Sequence, residues 1–218
     1  MKDEFLDLLL SSGALKFGSF KTKSGRVSPY FFNMGAIDTG EALTKVACCY
    51  ADCVLESLGA LELHLFGPAY KGIPLATSVA QELSRRLGIP IPFTFNRKEI
   101  KDHGERGSFI GRDILPSSRL IIVEDVMTGG TSVRETLALV SPVGASVRAV
   151  FIGVDRQERG VGGQLAAQEV TQELGIPVFA ILTLDEIISA LWNVRRNGRI
   201  WIDDQLKAEI DAYRKKFG

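Results

Sequence analysis

The segment Leu120–Ser132, LIIVEDVMTGGTS, decides the fold of this chain. Its first four residues are apolar and rich in β-branched side chains, which is typical of a short buried strand. Two carboxylates, Glu124 and Asp125, follow directly, and the small, glycine-rich turn Thr128–Ser132 comes two residues later. A helical pattern, VRETLALV, begins at Val133. The order of strand, acidic pair, turn and helix predicts a βα unit with a binding site at its turn.

The turn of this unit is suited to a phosphate group. Backbone N–H groups and hydroxyls at the positive end of a helix bind anions, and carboxylates at the end of a strand accept hydrogen bonds from vicinal hydroxyls. A sugar that carries a phosphate would satisfy both halves of the unit together.

Other interpretations of the same unit are a plain βα turn, a dinucleotide site and a Walker A loop. The plain turn stays open, because a Gly-Gly turn that enters a helix is common. A dinucleotide site is disfavoured, since G-x-G-x-x-G is absent and the acidic pair precedes the turn. A Walker A loop is excluded, since no lysine follows the glycines.

The composition fits a globular protein with one domain over residues 1–218. Lys+Arg and Asp+Glu balance at 26 each, so bulk charge argues neither for nor against an anionic partner. No apolar run reaches the roughly 18–20 residues of a membrane span, and the acidic N-terminus MKDEFLDLLLSSG predicts an amphipathic helix instead of a signal peptide. Cys48, Cys49 and Cys53 share one predicted helix and are expected to be unbridged thiols of a reducing compartment, the cytoplasm.

Strands and helices alternate along the rest of the chain. The pattern predicts helices at about 4–10, 40–58, 72–87, 164–174, 185–192 and 204–217, and strands at about 15–20, 26–33, 61–66, 90–95, 146–154 and 178–182. This alternation implies a mainly parallel sheet covered on both faces, with ligands at the carboxyl ends of its strands. Four turns that follow strands, near Tyr70-Lys71, Arg97, Glu124–Ser132 and Asp155-Arg156, are expected to converge on that edge.

Several segments have more than one interpretation. The stretch 96–112, NRKEIKDHGERGSFIGR, is either a solvated excursion or, as we favour, a lid that carries cations over an anionic substrate. His64 lies mid-strand and is predicted to be a structural histidine. Phe31 and Phe32 are adjacent in a strand and therefore point to opposite faces, so one of them is expected to face a cavity. A basic patch is predicted to be solvated surface: Arg195, Arg196 and Arg199.

Five segments resemble those of the orotate phosphoribosyltransferase family, a branch of the type I phosphoribosyltransferases, in the order and spacing of the family. They are KFGSFKTKSGRVSPYFFN, LFGPAYKGIPLA, FNRKEIKDHGERG, VEDVMTGGTSVRE and DRQERG, and the similarity extends to the terminal AYRKKFG. The resemblance implies the type I phosphoribosyltransferase fold, an α/β fold with a central mainly parallel sheet flanked by helices. It also implies a small N-terminal hood at about 1–36 and a mobile lid loop at about 96–112. No decarboxylase segment is fused, so the chain resembles the stand-alone enzyme.

The activity that the resemblance implies is Mg²⁺-dependent transfer of the 5-phosphoribosyl group from phosphoribosyl diphosphate (PRPP) to N1 of orotate, in pyrimidine (UMP) biosynthesis. The implied PRPP-binding residues are Lys23, Tyr70, Lys71, Arg97, Lys98, Lys101, His103, Glu124, Asp125, Val126, Met127, Thr128, Gly129, Gly130, Thr131 and Ser132. The implied orotate-binding residues are Lys23, Phe31, Phe32, Thr128 and Arg156. The implied catalytic residues are Lys71, Lys98, Lys101, His103 and Asp125.

The resemblance further implies how these groups work together. Mg²⁺ would be held mainly by PRPP oxygens and water, with no strong direct protein ligand. The chain would form a homodimer whose lid loop reaches the neighbouring subunit, with no nucleic-acid or membrane partner. Either His103 or a loop lysine could protonate the leaving oxygen. Glu124 stands where many relatives have Asp, which leaves its hydroxyl contact open. The rival functions are a purine-type phosphoribosyltransferase and a PRPP-sensing regulator without catalysis.

Overall fold

The structure is a computed structural model that describes residues 1–21, 25–98, 108–127, 130–160 and 162–218. The α-helices in these ranges are α1 (Lys2–Ser11), α2 (Gly40–Leu58), α3 (Gly72–Leu87), α4 (Thr131–Val140), α5 (Ala166–Leu174), α6 (Leu184–Leu191) and α7 (Asp204–Phe217). The strands are β1 (Leu15–Lys21), β2 (Val27–Phe32), β3 (Leu65–Gly67), β4 (Phe93–Asn96), β5 (Phe109–Gly111), β6 (Arg119–Met127), β7 (Ser146–Asp155), β8 (Val178–Thr183), β9 (Arg195–Arg196) and β10 (Arg199–Ile200).

A six-stranded sheet in the order β5-β4-β3-β6-β7-β8 forms the centre of the fold. Every neighbouring pair is parallel except β4 and β5, which are antiparallel. The predicted, mainly parallel sheet is therefore confirmed. Because β3, β4, β6 and β7 run in one direction, the turns after Gly67, Asn96, Met127 and Asp155 lie at the same edge of the sheet.

Strand β6 shows why the sheet is covered on both faces. Ile121 and Val123 belong to one hydrophobic core with residues of α1, α2, α3, α6 and α7, whereas Leu120 and Ile122 belong to a second core with α4 and α5. Alternate side chains of a strand point to opposite faces, so an unbroken apolar run is what a strand between two helical layers requires.

Two small antiparallel pairs lie outside this sheet. Strands β1 and β2, both predicted from the sequence, pair with Leu15 opposite Phe32, and β9 pairs with β10. Tyr30 of β2 packs edge-on against Tyr213 of α7 at 5.7 Å between ring centroids. The C-terminal helix is thereby packed against the first hairpin.

Several predicted boundaries were wrong, each for a local reason. The strand predicted at 61–66 is only β3, because Leu61 is exposed and Glu62 has a positive φ of 53°. The strand predicted at 90–95 begins at Phe93, since Pro90 and Pro92 lack the N–H groups that a ladder needs. The predicted loop 96–112 contains strand β5.

The strand of the opening segment is longer than predicted. Strand β6 continues through both acids to Met127, because the long strand β7 remains paired with it as far as Met127 and Asp155. The helix after the turn begins at Thr131, two residues before the predicted start. The acidic pair therefore belongs to the strand itself, where its backbone is fixed by the sheet.

The structural interpretations of the cysteines and of His64 are confirmed. Cys48, Cys49 and Cys53 are free thiols, two of them buried. His64 Nε2 lies 2.9 Å from Thr94 Oγ1, and that hydroxyl donates its single hydrogen to the Arg112 carbonyl at 2.6 Å. Nε2 must therefore be the donor, which fixes the tautomer of His64. Burial lowers the pKa of His64 below its ordinary value.

The interpretation of the basic patch was wrong for one of its members. Arg196 is largely buried and donates from Nε and Nη2 to the two carboxylate oxygens of Asp7, at 2.7 and 3.0 Å. Its Nη1 donates to Asp3 at 2.9 Å. Arg196 therefore links the β9–β10 pair to α1, a contact between distant segments that local sequence does not indicate.

Candidate active site

The second acid of β6, Asp125, is held by a lysine from the neighbouring strand-turn-helix unit. Asp125 is 5% exposed, and its Oδ2 accepts a hydrogen bond from Lys71 Nζ at 2.9 Å. Its Oδ1 accepts one from the backbone N–H of Val126 at 2.8 Å. Lys71 directly precedes α3, next to the end of β3, so the parallel pairing of β3 and β6 brings the two residues together. The predicted residues Lys71 and Asp125 thus meet in the structure.

The first acid, Glu124, has a different environment. Its Oε1 accepts from the Asp125 N–H at 3.1 Å. Burial of the carboxyl, together with the negative charge of Asp125, raises the pKa of Glu124 to about 7. Beneath it, the fully buried Tyr50 of α2 donates its hydroxyl to the Glu124 backbone carbonyl at 2.7 Å. Glu124 therefore has a raised pKa at a strand end whose backbone is held in place from below.

The turn between β3 and α3 is tightly packed against the acidic strand. A Cβ on Gly72 would lie 2.9 Å from both the Gly67 carbonyl carbon and the Val123 carbonyl oxygen, so only glycine fits there. The Ala69–Tyr70 peptide bond is cis. The Ala69 N–H donates to Asn96 Oδ1 at 2.9 Å, which connects this turn to the end of β4. Asn96 is a site residue that the sequence analysis missed.

The end of β4 brings two predicted cations to this turn. Lys98 Nζ lies 4.7 Å above the ring centre of Tyr70, which is 64% exposed. The Arg97 N–H donates to the Ser108 carbonyl at 2.8 Å and extends the β4–β5 pairing by one bond. Both ends of the predicted lid loop are therefore held together at the edge of the site.

A cleft of about 520 Å³ lies between these elements. It is lined by the predicted residues Arg97, Lys98, Glu124 and Ser132 and also by Asn96 and Thr136. A larger groove of about 720 Å³ lies between β2 and α7, and none of its described lining residues was predicted to bind a substrate. Polar and charged side chains from the ends of β4 and β6 and from the start of α4 thus meet in the smaller cleft.

The glycine-rich turn leads directly into α4. Gly130 has a φ of 69°, and a Cβ there would lie 2.5 Å from Val170 Cγ2, so the position requires glycine. Thr131 and Ser132 form the first turn of α4, where N–H groups point out of the helix and favour an anion. Val126 is half-buried and Met127 is buried, so their side chains belong more to the packed interior than to a ligand surface.

The residues implied to contact the base are divided between two surroundings. Phe31 is 37% exposed and stacks on Phe20 at 5.4 Å, whereas Phe32 is buried in the core. Arg156 follows β7 and is 8% exposed. Its Nη2 and Nε donate to Glu158 Oε1 at 2.6 and 3.1 Å. Arg156 therefore already has a carboxylate partner from its own loop.

Some implied site residues lie outside the described residues: Lys23, Lys101, His103, Thr128 and Gly129. Two described residues of the site were not indicated by the sequence. Tyr50 and Asn96 act through contacts between elements far apart in the chain. Asn96 begins the quoted segment FNRKEIKDHGERG, which was the one signal available for it. Tyr50 had none, because its spacing on α2 is that of an ordinary core residue.

The described residues offer little for direct binding of a metal ion. Within them, no group of three or more His, Cys, Asp or Glu side chains is placed to hold a metal. Of the two acids at the end of β6, Asp125 is already paired with Lys71. None of the helices in the described ranges has the length and apolarity needed to cross a membrane.

The parallel sheet, the acidic strand end and the glycine turn into α4 define a class of protein. Residues 35–161 match the family described as "Phosphoribosyl transferase domain", so the chain belongs to the phosphoribosyltransferases. An orotate phosphoribosyltransferase of Thioalkalivibrio sulfidiphilus is 45% identical over 217 residues, covering 100% of this chain and 98% of the relative. One of Clostridium acetobutylicum is 43% identical over 218 residues, covering 100% and 97%.

A solved structure gives the same result. The crystal structure of the orotate phosphoribosyltransferase of Francisella tularensis matches with a TM-score of 0.82 and 33% identity, covering 98% of each chain. The chain belongs to the orotate phosphoribosyltransferase family, and it is a transferase. The resemblance and the fold stated from the sequence are thereby confirmed.

Proposed function

We propose that this chain transfers the 5-phosphoribosyl group from PRPP to N1 of orotate, giving orotidine 5′-monophosphate and diphosphate on the route to UMP. The observation that carries the proposal is the juxtaposition of the Glu124-Asp125 strand end, Lys71 and the glycine turn into α4 at one edge of the sheet. An acidic pair beside a helix N-terminus is complementary to a ribose diol and its 5-phosphate.

The 5-phosphate binds to the turn Thr128–Ser132, with the backbone after Val126 and Met127 completing the cradle. Glu124 and Asp125 accept hydrogen bonds from the ribose hydroxyls. Support comes from the positive φ of Gly130 and from the exposed first turn of α4, which together leave room for an anion at the helix start.

The diphosphate is bound by cations from three turns. Tyr70, Lys71, Arg97 and Lys98 lie next to the cleft, and Lys23, Lys101 and His103 join them in the closed enzyme. Negative charge grows on the departing diphosphate and positive charge on the ribose ring, so fixed cations stabilise the transition state more than the ground state. Either His103 or a loop lysine protonates the leaving oxygen. No covalent nucleophile is needed.

Orotate lies between the phosphate turn and the first hairpin. Phe31, with Phe32 behind it, flanks the ring, Lys23 and Thr128 contact its polar edge, and Arg156 pairs with its carboxylate. The exposed, stacked position of Phe31 supports a role at a ligand face, and the burial of Phe32 supports a role in holding that face.

Mg²⁺ is held mainly by the substrate's own oxygens and by water. The donor set fits this arrangement, because Asp125 is paired with Lys71 and both acids are used by the ribose hydroxyls, which leaves no carboxylate free for the ion. When bound, the ion neutralises charge on the diphosphate. The residues of this chain orient the ribose and exclude water, which would otherwise hydrolyse PRPP.

Three further features belong to the proposal. Residues of about 1–36 form a hood beside the base. The loop at about 96–112 closes over the site of a neighbouring subunit in a homodimer. The free thiols of α2 indicate a reducing compartment, which we take to be the cytoplasm.

The direct test is an absorbance assay of orotate consumption with PRPP and Mg²⁺, run beside uracil, hypoxanthine and adenine. We expect consumption of orotate alone, and we expect Asp125→Asn, a near-isosteric loss of charge, to abolish most of it. Exposed Asp211→Asn is the matched control. Use of a purine base instead would favour the purine-type rival, and PRPP binding without turnover of any base would favour the regulator.

A further inference from the structure

A buried carboxylate behind Arg156 has no assigned role in the reaction. Glu158 is 5% exposed and lies two residues after Arg156, in the segment DRQERG. Its Oε1 accepts two hydrogen bonds from the Arg156 guanidinium, one from Nη2 at 2.6 Å and one from Nε at 3.1 Å. A guanidinium held through two of its nitrogens has little freedom to rotate.

The same oxygen also binds two tyrosines from other parts of the chain. The Tyr30 hydroxyl of β2 donates to Glu158 Oε1 at 3.0 Å, and the Tyr213 hydroxyl of α7 donates to it at 3.2 Å. The Arg156 guanidinium also lies 5.4 Å from the centre of the Tyr30 ring. Burial is the main cause that raises the pKa of both phenols, and the negative charge of Glu158 is the second. Both hydroxyls therefore stay protonated and remain hydrogen-bond donors near neutral pH.

This arrangement leaves one face of Arg156 for a ligand. Nε and Nη2 are used by Glu158, while Nη1 has no hydrogen-bond partner in the part of the chain that the structure describes. A guanidinium whose other nitrogens are fixed presents Nη1 in one direction. That pre-organises a charge-assisted contact, because less freedom is lost when the ligand binds.

We propose that Glu158, fixed by Tyr30 and Tyr213, is a positioning residue that orients Arg156 toward the carboxylate of the pyrimidine substrate. The inference rests on the proposed function, since it takes Arg156 to contact orotate. It extends that function in one respect: the C-terminal helix α7, through Tyr213, determines how well the base is bound. The positioning effect outweighs the partial neutralisation of Arg156 by Glu158, so loss of Glu158 weakens orotate binding.

The test compares steady-state kinetics of Glu158→Gln and Tyr213→Phe with the wild-type enzyme. Hydrogen bonds to charged groups contribute enough that Glu158→Gln should raise the KM for orotate about tenfold, and Tyr213→Phe about threefold. The KM for PRPP should change less than about twofold in both variants. Glu209→Gln, an exposed carboxylate-to-amide change on the same helix, is the control and should leave both KM values unaltered.

A double-variant comparison separates positioning from a merely structural role. If Glu158 acts through Arg156, Glu158→Gln adds less than about twofold to the orotate KM once Arg156→Ala is present, because coupled residues are not additive. Additive effects, equal changes in both KM values, or a lower orotate KM in Glu158→Gln would overturn the inference. Should Glu158→Gln fail to fold, Tyr213→Phe, which removes one hydroxyl, decides on the same criteria. Absence of orotate turnover in the wild type would instead contradict the proposed function.

Discussion

At the residue scale, the two neighbouring acids of β6 have different electrostatic surroundings. Asp125 has a lysine partner 2.9 Å away, whereas Glu124 has burial and a negative neighbour, which raise its pKa to about 7. A carboxyl with a raised pKa gains its charge only as the pH approaches that value. In the folded protein Glu124 is therefore largely neutral below pH 7, and its ability to accept two hydrogen bonds from a diol increases above it.

This difference predicts a pH dependence of PRPP binding. The affinity of the wild type should rise by about tenfold between pH 6 and pH 8, measured by calorimetry, as Glu124 ionises. Glu124→Gln cannot ionise and should give a flatter profile. The 5-phosphate titrates near pH 6 in both proteins, so the difference between the profiles isolates Glu124. Parallel profiles would show that this carboxyl does not contact the ligand.

The same pKa shift makes stability change with pH in the direction opposite to that of PRPP affinity. Between the ordinary carboxyl pKa of 4.5 and about 7, Glu124 is protonated in the folded state and ionised in the unfolded state. The folded state therefore binds more protons, so this group lowers the free energy of unfolding as the pH rises through that interval. Glu124 thus makes the protein without ligand less stable at neutral pH than in mild acid.

Arg156 gives a second prediction at this scale. Arg156→Ala should raise the KM for orotate about tenfold or more and leave the KM for PRPP nearly unchanged, because it removes a charge-assisted contact to one substrate only. Steady-state kinetics with each substrate varied in turn will measure this. Exposed Arg195→Ala serves as the control. Equal damage to both substrates would place Arg156 elsewhere in the mechanism.

At the element scale, the turn between β3 and α3 has almost no free volume. Gly72 is enclosed by the Gly67 backbone, the Val123 carbonyl and Pro68 Cδ, all within 3 Å of the position that a Cβ would take. Gly72→Ala should lower the free energy of unfolding by about 1–3 kcal/mol and displace Lys71 from Asp125. Chemical denaturation and the KM for PRPP will test both effects.

The control for this substitution is Gly40→Ala. Gly40 is also the first residue of a helix, but nothing lies within 4 Å of its Cβ position. The change in the free energy of unfolding should stay within about 0.5 kcal/mol or favour the folded state. If both substitutions lowered the free energy of unfolding by similar amounts, the cause would be the position at a helix start and not the close approach of the backbone at Gly72.

How well an element could be predicted depended on its length and periodicity. Helices α2 and α7 end where the sequence predicts, because each has a long amphipathic pattern and a clear terminus, such as Gly59 after α2. Strand β3 was placed inaccurately, since three residues carry no usable alternation. The antiparallel strand β5 was missed, because its three residues follow a charged, glycine-containing stretch.

The same limit applies to the site. The acidic pair, Lys71 and the glycine turn were predictable, since each adjoins a recognisable strand. Asn96 and Tyr50 were not, because they contact residues 27 or more positions away, Ala69 and Glu124. Glu158 was not either, because the two tyrosines that hold it lie 55 and 128 positions away. Local sequence does not encode which distant backbone a buried hydroxyl or amide will meet.

At the scale of the whole molecule, the first helix is attached to a hairpin near the C-terminus by Arg196. Its two bonds to Asp7 and two to Asp3 join segments 189 or more residues apart. Arg196→Gln should lower the free energy of unfolding by about 1 kcal/mol at neutral pH, measured by denaturant titration. Arg195→Gln, whose guanidinium bonds within its own hairpin, is the control.

The pH dependence of that difference has a defined sign. The hydrogen bond from Arg196 lowers the pKa of Asp7 below 3.8. A carboxyl with a lowered pKa contributes stability that is present above its unfolded value and disappears as the pH falls through its folded value. The difference in the free energy of unfolding between wild type and Arg196→Gln should therefore disappear in strong acid. A gap that persists there would assign the effect to packing of the arginine stem.

The proposed dimer, in which each lid reaches the neighbouring subunit, predicts that two different variants can restore activity to each other. Lys101→Ala and Arg156→Ala subunits should each be poorly active alone, and mixing them should restore activity at up to about one site in each mixed dimer. Activity measured after co-refolding at varied ratios will test this. No recovery at any ratio, with mixed dimers verified by mass, would mean that each site is complete within one chain.

Asn96 pairs with Phe109, and the Arg97 N–H donates to the Ser108 carbonyl. These contacts have a consequence for how the sequence of such an enzyme can change. The two ends of the intervening segment are joined by the sheet whatever lies between them. Doubling the length of a closed loop costs only about 0.6 kcal/mol. The segment can therefore be exchanged at little cost in the free energy of unfolding. With the lid role proposed above, grafting a new sequence there should alter turnover without loss of the scaffold.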